Sequence, residues 1–259
     1  MTNSQQHFIW YELLTTDAAA AKTFYGNVVG WEAQRPPNSL PGVDYTLFTV
    51  GQWPVAGVMD LTPEARSAGA PPHWLGYIGV EDVDTTVERI RSLGGATYLS
   101  PRDIPNVGRF AIVGDPQGST FALFKWFIPG RDQPGAPGAV GRVGWHELFA
   151  DDWVTAFAFY AELFGWKKLD AVNVGAIGTY QIFSTGEDAI GGMFSKPPMV
   201  PAPFWLYYFN VAAIDAAIER VHAGGGQIIN GPMEVPGGSW IVQCLDPQRA
   251  MFALVAPRR

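Results

Sequence analysis

The chain has 259 residues, 47% of them apolar and 16% charged, which is material for one large domain or two of ordinary size. Its net charge of −7 argues against nucleic acid, whose phosphates call for Lys and Arg on one face, and suits a small neutral or cationic ligand. A single cysteine, Cys244, excludes an intrachain disulfide, and no apolar run approaches the length of a membrane span.

The N-terminal residues show no basic region followed by an apolar one, so a cytoplasmic protein is expected. Residues 8–15 are apolar and β-prone. Thr16 or Asp17 then offers an N-cap for a helix whose apolar positions are Ala21, Phe24, Tyr25 and Val28, closed by Gly30. Strand-like runs follow at 44–50 and 54–59, then a Pro/Gly-rich loop ending at Pro71-Pro72. A strand over 74–80 precedes a second helix carrying Val83, Val87, Ile90 and Leu93, closed by Gly94-Gly95. Strands at 96–99, 109–113 and 120–126 complete the series, with Asp115-Pro-Gln-Gly118 as a turn.

The same series then recurs. Trp10–Trp31 laid over Trp145–Trp166, at a constant offset of 135, gives nine identities in 22 positions. The offset also carries Tyr45 onto Tyr180, Phe48 onto Phe183 and Gly57 onto Gly192. After a deletion of four residues it becomes 131, pairing Trp74 with Trp205, Tyr77 with Tyr208, Val80 with Val211, Asp115 with Asp246 and Phe121 with Phe252. The chain is therefore read as two copies of one module, at 1–127 and 143–259, joined by a Pro/Gly-rich linker at 128–142. Each copy holds two strand–helix–strands units, so the chain holds four.

Particular words in this pattern carry a resemblance. They are Asp17…Phe24-Tyr25…Gly30-Trp31 with its repeat Asp152…Phe159-Tyr160…Gly165-Trp166, Val80-Glu-Asp-Val-Asp84, and Asp115-Pro-Gln-Gly118 with Asp246-Pro-Gln248. The ordered set, occurring twice, resembles the glyoxalase/bleomycin-resistance/dioxygenase (vicinal oxygen chelate) superfamily. The resemblance implies an α+β fold of four βαβββ units, whose incurved sheets form ligand cups. It also implies three metal-donor positions per cup. Here they fall on Trp10, Leu75 and Ala122, and on Trp145, Leu206 and Ala253, none of which offers a donor to a divalent ion. No metal and no cofactor is expected. His146 and Tyr11 stand one residue from a donor position, and a one-residue slip turns a strand side chain to the other face.

Strand alternation selects what the cup holds instead. Copy one contributes Trp10, Glu12, Leu14, Tyr77, Gly79, Thr120 and Phe124. Copy two contributes Trp145, Glu147, Phe149, Tyr208, Asn210, Met251 and Val255. Glu12 and Glu147 are the sharpest candidates, because a carboxylate on an apolar strand face needs a partner. Ringed by Trp and Tyr, it suits a cationic or hydroxylated small ligand, or acts as an acid/base. The blander reading gives each Glu a structural bond to backbone or to Tyr. Arg109, at the start of a strand, is a candidate for an anion at a cup rim. Trp31, Trp166 and the Phe-Tyr pairs read as core, Cys244 as a buried thiol, His7 and His222 as surface residues, and His73 as a capping or surface residue. Gly224-Gly-Gly226 ends a helix, which is wrong for phosphate.

Three functions fit. The first is a metal-free small-molecule binder like the bleomycin-resistance-type proteins. The second is a lyase, isomerase or hydroxylase-like enzyme using Glu12 or Glu147, with a metal held atypically or none. The third is an interaction protein whose cups are filled by its own side chains. Monomer and homodimer both remain open. Neither nucleic acid nor membrane is expected as a partner.

Overall fold

The computed structural model describes residues 6–36, 44–128 and 138–259. Of the expected linker, 129–137 lies outside the described residues.

Copy one contributes β1 (Phe8–Thr15), α1 (Ala18–Val29), β2 (Glu32–Gln34), β3 (Thr46–Val50), β4 (Trp53–Asp60), α2 (Pro63–Ser67), β5 (His73–Gly79), α3 (Val83–Ser92), β6 (Ala96–Ile104), β7 (Gly108–Gly114) and β8 (Thr120–Trp126). Copy two repeats it with β9 (Val143–Ala150), α4 (Trp153–Phe164), β10 (Lys167–Asn173), β11 (Thr179–Ser184), β12 (Ala189–Ser195), β13 (Phe204–Asn210), α5 (Ile214–Ala223), β14 (Gln227–Glu234), β15 (Trp240–Leu245) and β16 (Met251–Ala256). Each copy forms one eight-stranded sheet. The orders, β2-β3-β4-β1-β5-β8-β7-β6 and β10-β11-β12-β9-β13-β16-β15-β14, are the same arrangement twice. No helix among the described residues is long and apolar enough to cross a membrane.

Local chemistry sets the helix starts. The carboxylate of Asp17 accepts from Ala20 N at 2.9 Å, and that of Asp82 from Thr85 N at 2.8 Å. Asp152 accepts from Val154 N and Thr155 N. The fourth long helix, α5, begins at Ala213 without a side-chain cap, so copy two has lost the bond that Asp82 supplies in copy one. Two elements differ from expectation. Part of the Pro/Gly-rich loop coils into α2, capped by Thr62 with Pro63 in its first turn. The three residues of β2 are all exposed and carry no apolar alternation to read.

The sheets follow the copies, but the compact units do not. One unit comprises Met1–Trp10, Leu75–Asp132 and His146–Trp205; the other comprises Tyr11–Trp74, Gln133–Trp145 and Leu206–Arg259. Each unit thus takes half of copy one and half of copy two.

The recurring sequence words build the core of each unit. In one, Trp74 Nε1 donates to Tyr25 Oη at 2.9 Å, and that hydroxyl donates to Asp246 Oδ2 at 3.1 Å. The other oxygen of Asp246 accepts from Gln248 N and Ala250 N, closing the Asp-Pro-Gln turn. The second unit repeats the relay. Trp205 Nε1 donates to Tyr160 Oη at 3.0 Å, Tyr160 Oη to Asp115 Oδ2 at 3.1 Å, and Asp115 Oδ1 accepts from Gln117 N and Ser119 N. Burial pushes the carboxyls of Asp115 and Asp246 above the ordinary range, and these N–H and O–H donors oppose it. Trp31 stacks obliquely on Phe48 and reaches Gly141 O through Nε1 at 2.7 Å; Trp166 stacks on Phe183 and reaches Gln6 O at 2.7 Å. Trp31, Trp166, Phe24, Tyr25, Phe159 and Tyr160 are all buried, as expected of core.

Candidate functional site

The Trp–Tyr–Asp relays occupy the helix-facing side of the sheets. Alternation along each strand sends the candidate residues to the other side. On β13, for example, Trp205 and Phe209 pack against helix and core rings, while Tyr208 and Asn210 point away from them.

Glu12 lies on β1 directly beside Gly57 on β4, and Glu147 on β9 lies beside Gly192 on β12. Neither glycine is replaceable without rearrangement. A Cβ on Gly57 would strike the hydroxyl end of Tyr45, and one on Gly192 would strike the ring and hydroxyl of Tyr180. Each carboxylate strand is therefore flanked by a bare backbone position across which a tyrosine lies. Glu12 is half-buried, whereas Glu147 is 6% exposed. The sequence comparison contained Tyr45/Tyr180 and Gly57/Gly192 at the offset of Glu12/Glu147. Sequence reasoning assigned them no role at the site, because only tertiary structure folds the tyrosine over the glycine.

Around these pairs the faces differ. Beside Glu147, Phe149 stacks on Phe204 at 4.6 Å and meets Phe194 edge-on at 4.6 Å, with Tyr180 stacked on Phe194 at 5.8 Å. The equivalents on the Glu12 side are Leu14, His73 and Met59. On β5–β8, Tyr77 and Phe124 meet edge-on at 6.1 Å, and Phe110 and Trp126 extend the group. On β13–β16 the equivalents of Phe110 and Phe124 are Ile241 and Val255. Gln243 replaces Ile112 there, donating to Tyr208 Oη at 2.9 Å and accepting from Asn230 at 3.3 Å. Phe110, Trp126, Phe194, Phe204, Asn230 and Gln243 were not singled out from sequence. Trp10 and Trp145 are half-buried on β1 and β9.

Arg109 is not brought to this face. It pairs in register with Lys125 while its neighbour Phe110 pairs with Phe124, so it points the opposite way. Its guanidinium donates to both oxygens of Asp84, at 2.6 and 2.8 Å, and to Asp103 at 2.7 Å. The expectation of an anion there is corrected, since two carboxylates already take its N–H groups. His146 points away from Glu147, stacked on Phe8 at 4.4 Å with Nδ1 bonded to Ile190 O at 2.7 Å; burial holds its pKa down at about 4. His73 bonds Pro71 O through Nδ1 at 2.8 Å, and burial lowers its pKa too. Cys244 is fully buried, and burial pushes its thiol up to about 12, which leaves it inert.

A superfamily metal does not fit the side chains present. Leu75, Ala122, Leu206 and Ala253 are buried apolar residues, and Tyr77 lies beside Ala122 in register. Among the described residues no three His, Cys, Asp or Glu side chains come together.

The glyoxalase/bleomycin resistance protein/dioxygenase superfamily model matches residues 6–123 and again 142–254. A protein of Mycobacterium tuberculosis named as a glyoxylase, CFP32, is 32% identical over 249 residues, which cover 96% of this chain and 94% of that protein. The anthracycline biosynthesis protein DauV of Streptomyces sp. strain C5 is 32% identical over 263 residues, covering 96% and 92%. Among solved structures, the Mn(II)-bound glyoxalase from Novosphingobium aromaticivorans superposes with a TM-score of 0.68 at 14% identity, covering 98% of this chain and 83% of that one, a likeness of fold alone. Two matches to the family model, at the places where the sequence repeats, make the chain a tandem member of the glyoxalase/bleomycin resistance protein/dioxygenase superfamily.

Proposed function

We propose that the chain binds small organic molecules on the helix-free faces of its two sheets without a metal, using Glu12 and Glu147 to hold a cationic or hydroxyl-bearing group. The observation that carries this reading is the doubled Glu–Gly–Tyr arrangement. A carboxylate beside a bare backbone position and a phenol, among aromatic rings, supplies charge-assisted hydrogen bonds on one side and ring faces on the other. On this reading each module, 1–127 and 143–259, contributes its own ligand contacts: Trp10, Tyr77 and Phe124 from the first, and Trp145, Tyr208 and Asn210 from the second.

Benzyltrimethylammonium and its uncharged isostere neopentylbenzene test the charge preference by calorimetric titration. The cation is expected to bind more tightly, and Glu147→Gln to remove that preference. Equal affinity for the two compounds, or a preference that survives both Glu12→Gln and Glu147→Gln, sinks the assignment. A stoichiometric transition metal in purified protein, lost on either substitution, overturns the metal-free part.

A second reading keeps the same residues and makes one of them an acid/base in a lyase-, isomerase- or hydroxylase-type reaction. Glu147 favours it, because a carboxylate only 6% exposed is shielded from bulk water, as a group that moves a proton to or from a bound substrate must be. The name of one relative, a glyoxylase, agrees with an enzyme.

A further inference from the structure

The β13–β16 half of copy two holds a polar atom that the fold leaves without a partner. Asn210, the last residue of β13, is 7% exposed, and its Nδ2 makes no hydrogen bond. Its backbone is fully engaged: N donates to Arg142 O at 2.8 Å, and the carbonyl accepts from Gly141 N at 2.8 Å. The protein also makes room for the side chain. A Cβ on Gly144 would come to 2.8 Å from Nδ2 and 2.9 Å from Cγ.

Copy one makes the opposite choice at both places. Ile9 stands where Gly144 does, and Gly79 stands where Asn210 does. The two changes belong together, since a side chain on the first strand and one on the second would compete for the same space. A buried amide N–H without an acceptor is a state that folded proteins avoid, so stability does not account for Asn210. An acceptor delivered by a ligand does.

The surroundings narrow the ligand. Tyr208 lies on the same face, its hydroxyl held by Gln243, and Val255 lies beside Asn210 in register. Amide, phenol and aliphatic groups together suit a molecule with an apolar body and an uncharged oxygen acceptor. A neutral N–H meets a neutral carbonyl without burying an unpaired charge. We propose that Asn210 is a specificity-determining residue that selects carbonyl-bearing ligands in copy two, a selection copy one does not make. The proposal rests on reading this face as a ligand site.

Acetophenone and ethylbenzene, alike in size and differing in the carbonyl, test it on the full chain. The side-chain amide resonance of Asn210, assigned by its loss in Asn210→Gly, reports the contact directly. Acetophenone is expected to shift that resonance and to lose roughly tenfold in affinity on Asn210→Gly, while ethylbenzene changes by less than about twofold. Asn210→Ala serves if Asn210→Gly fails to fold. Equal losses for the two compounds make Asn210 a packing residue and overturn the proposal. So does acetophenone binding that moves Tyr208 resonances and leaves the Asn210 amide unchanged, the pattern expected if a buried water holds the amide; the face then remains a ligand site. Resonances of Tyr208 and Asn210 unmoved by either compound overturn both the proposal and the reading of this face.

Discussion

The two copies share their backs and differ on their fronts. On the helix side, Trp74–Tyr25–Asp246 and Trp205–Tyr160–Asp115 are the same relay at nearly the same distances. On the other side, β5–β8 presents Tyr77, Phe110, Phe124 and Trp126, where β13–β16 presents Tyr208 bonded to Gln243, Asn230 beyond it, and Asn210. The reason lies in what each side must satisfy. A buried Tyr hydroxyl and Asp carboxyl leave few alternatives, because removing any member strands the others. On the proposed function, a face that meets a ligand is released from that constraint and diverges with what it binds.

The comparison breaks hardest at its shared side. Trp31→Ala and Trp166→Ala each remove a buried ring and its indole bond to a carbonyl, and each is expected to lower stability by about 3–5 kcal/mol in urea unfolding. Near-equal losses are the signature of equivalent backs. A loss under half as large at one tryptophan would show that the two backs are not equivalent.

A pH titration sharpens the difference. His146 is held down at about 4 by burial, from an ordinary 6.5, while copy one has Tyr11 at that place. The unfolded chain therefore takes up its proton first. Stability is full above the ordinary value and falls as pH drops from 6.5 towards 4, by about 3 kcal/mol over that window. His146→Phe is expected to flatten the profile there; a slope that persists in the variant places the effect elsewhere. Asp115 and Asp246 act in the opposite sense. Their raised values mean a contribution that is complete below the ordinary carboxylate range and lost as pH rises through the folded value.

The smallest effect separates the fronts themselves. Gln243→Ile gives copy two the residue of copy one at position 112 and removes the donor to Tyr208. Its expected cost is about 1 kcal/mol by thermal or urea unfolding. No cost would mean that Gln243 does not support Tyr208.

Much of the architecture was legible because it depends on periodicity and on words that occur twice. Asp17 and Asp152 announced helix starts through their capping carboxylates, and apolar spacing placed the buried faces of α1 and α4. Glu12 and Glu147 stood out as carboxylates on apolar strands. Their neighbours did not, because Gly57 and Tyr45 are distant in sequence from Glu12 and reach it only when β4 pairs with both β1 and β3. Arg109 misled for the same reason. A strand-end arginine looks available until α3 brings Asp84 against it.

By itself the sequence determined the duplication and the superfamily, since these follow from local pattern and from repetition. Tertiary structure alone decided that each compact unit takes half of each copy, and that Tyr25 answers to Asp246 rather than Asp115. Both aspartates open the same Asp-Pro-Gln word, and that word does not say which tyrosine each will meet. Only the folded path of the chain chooses which carboxylate a buried phenol meets.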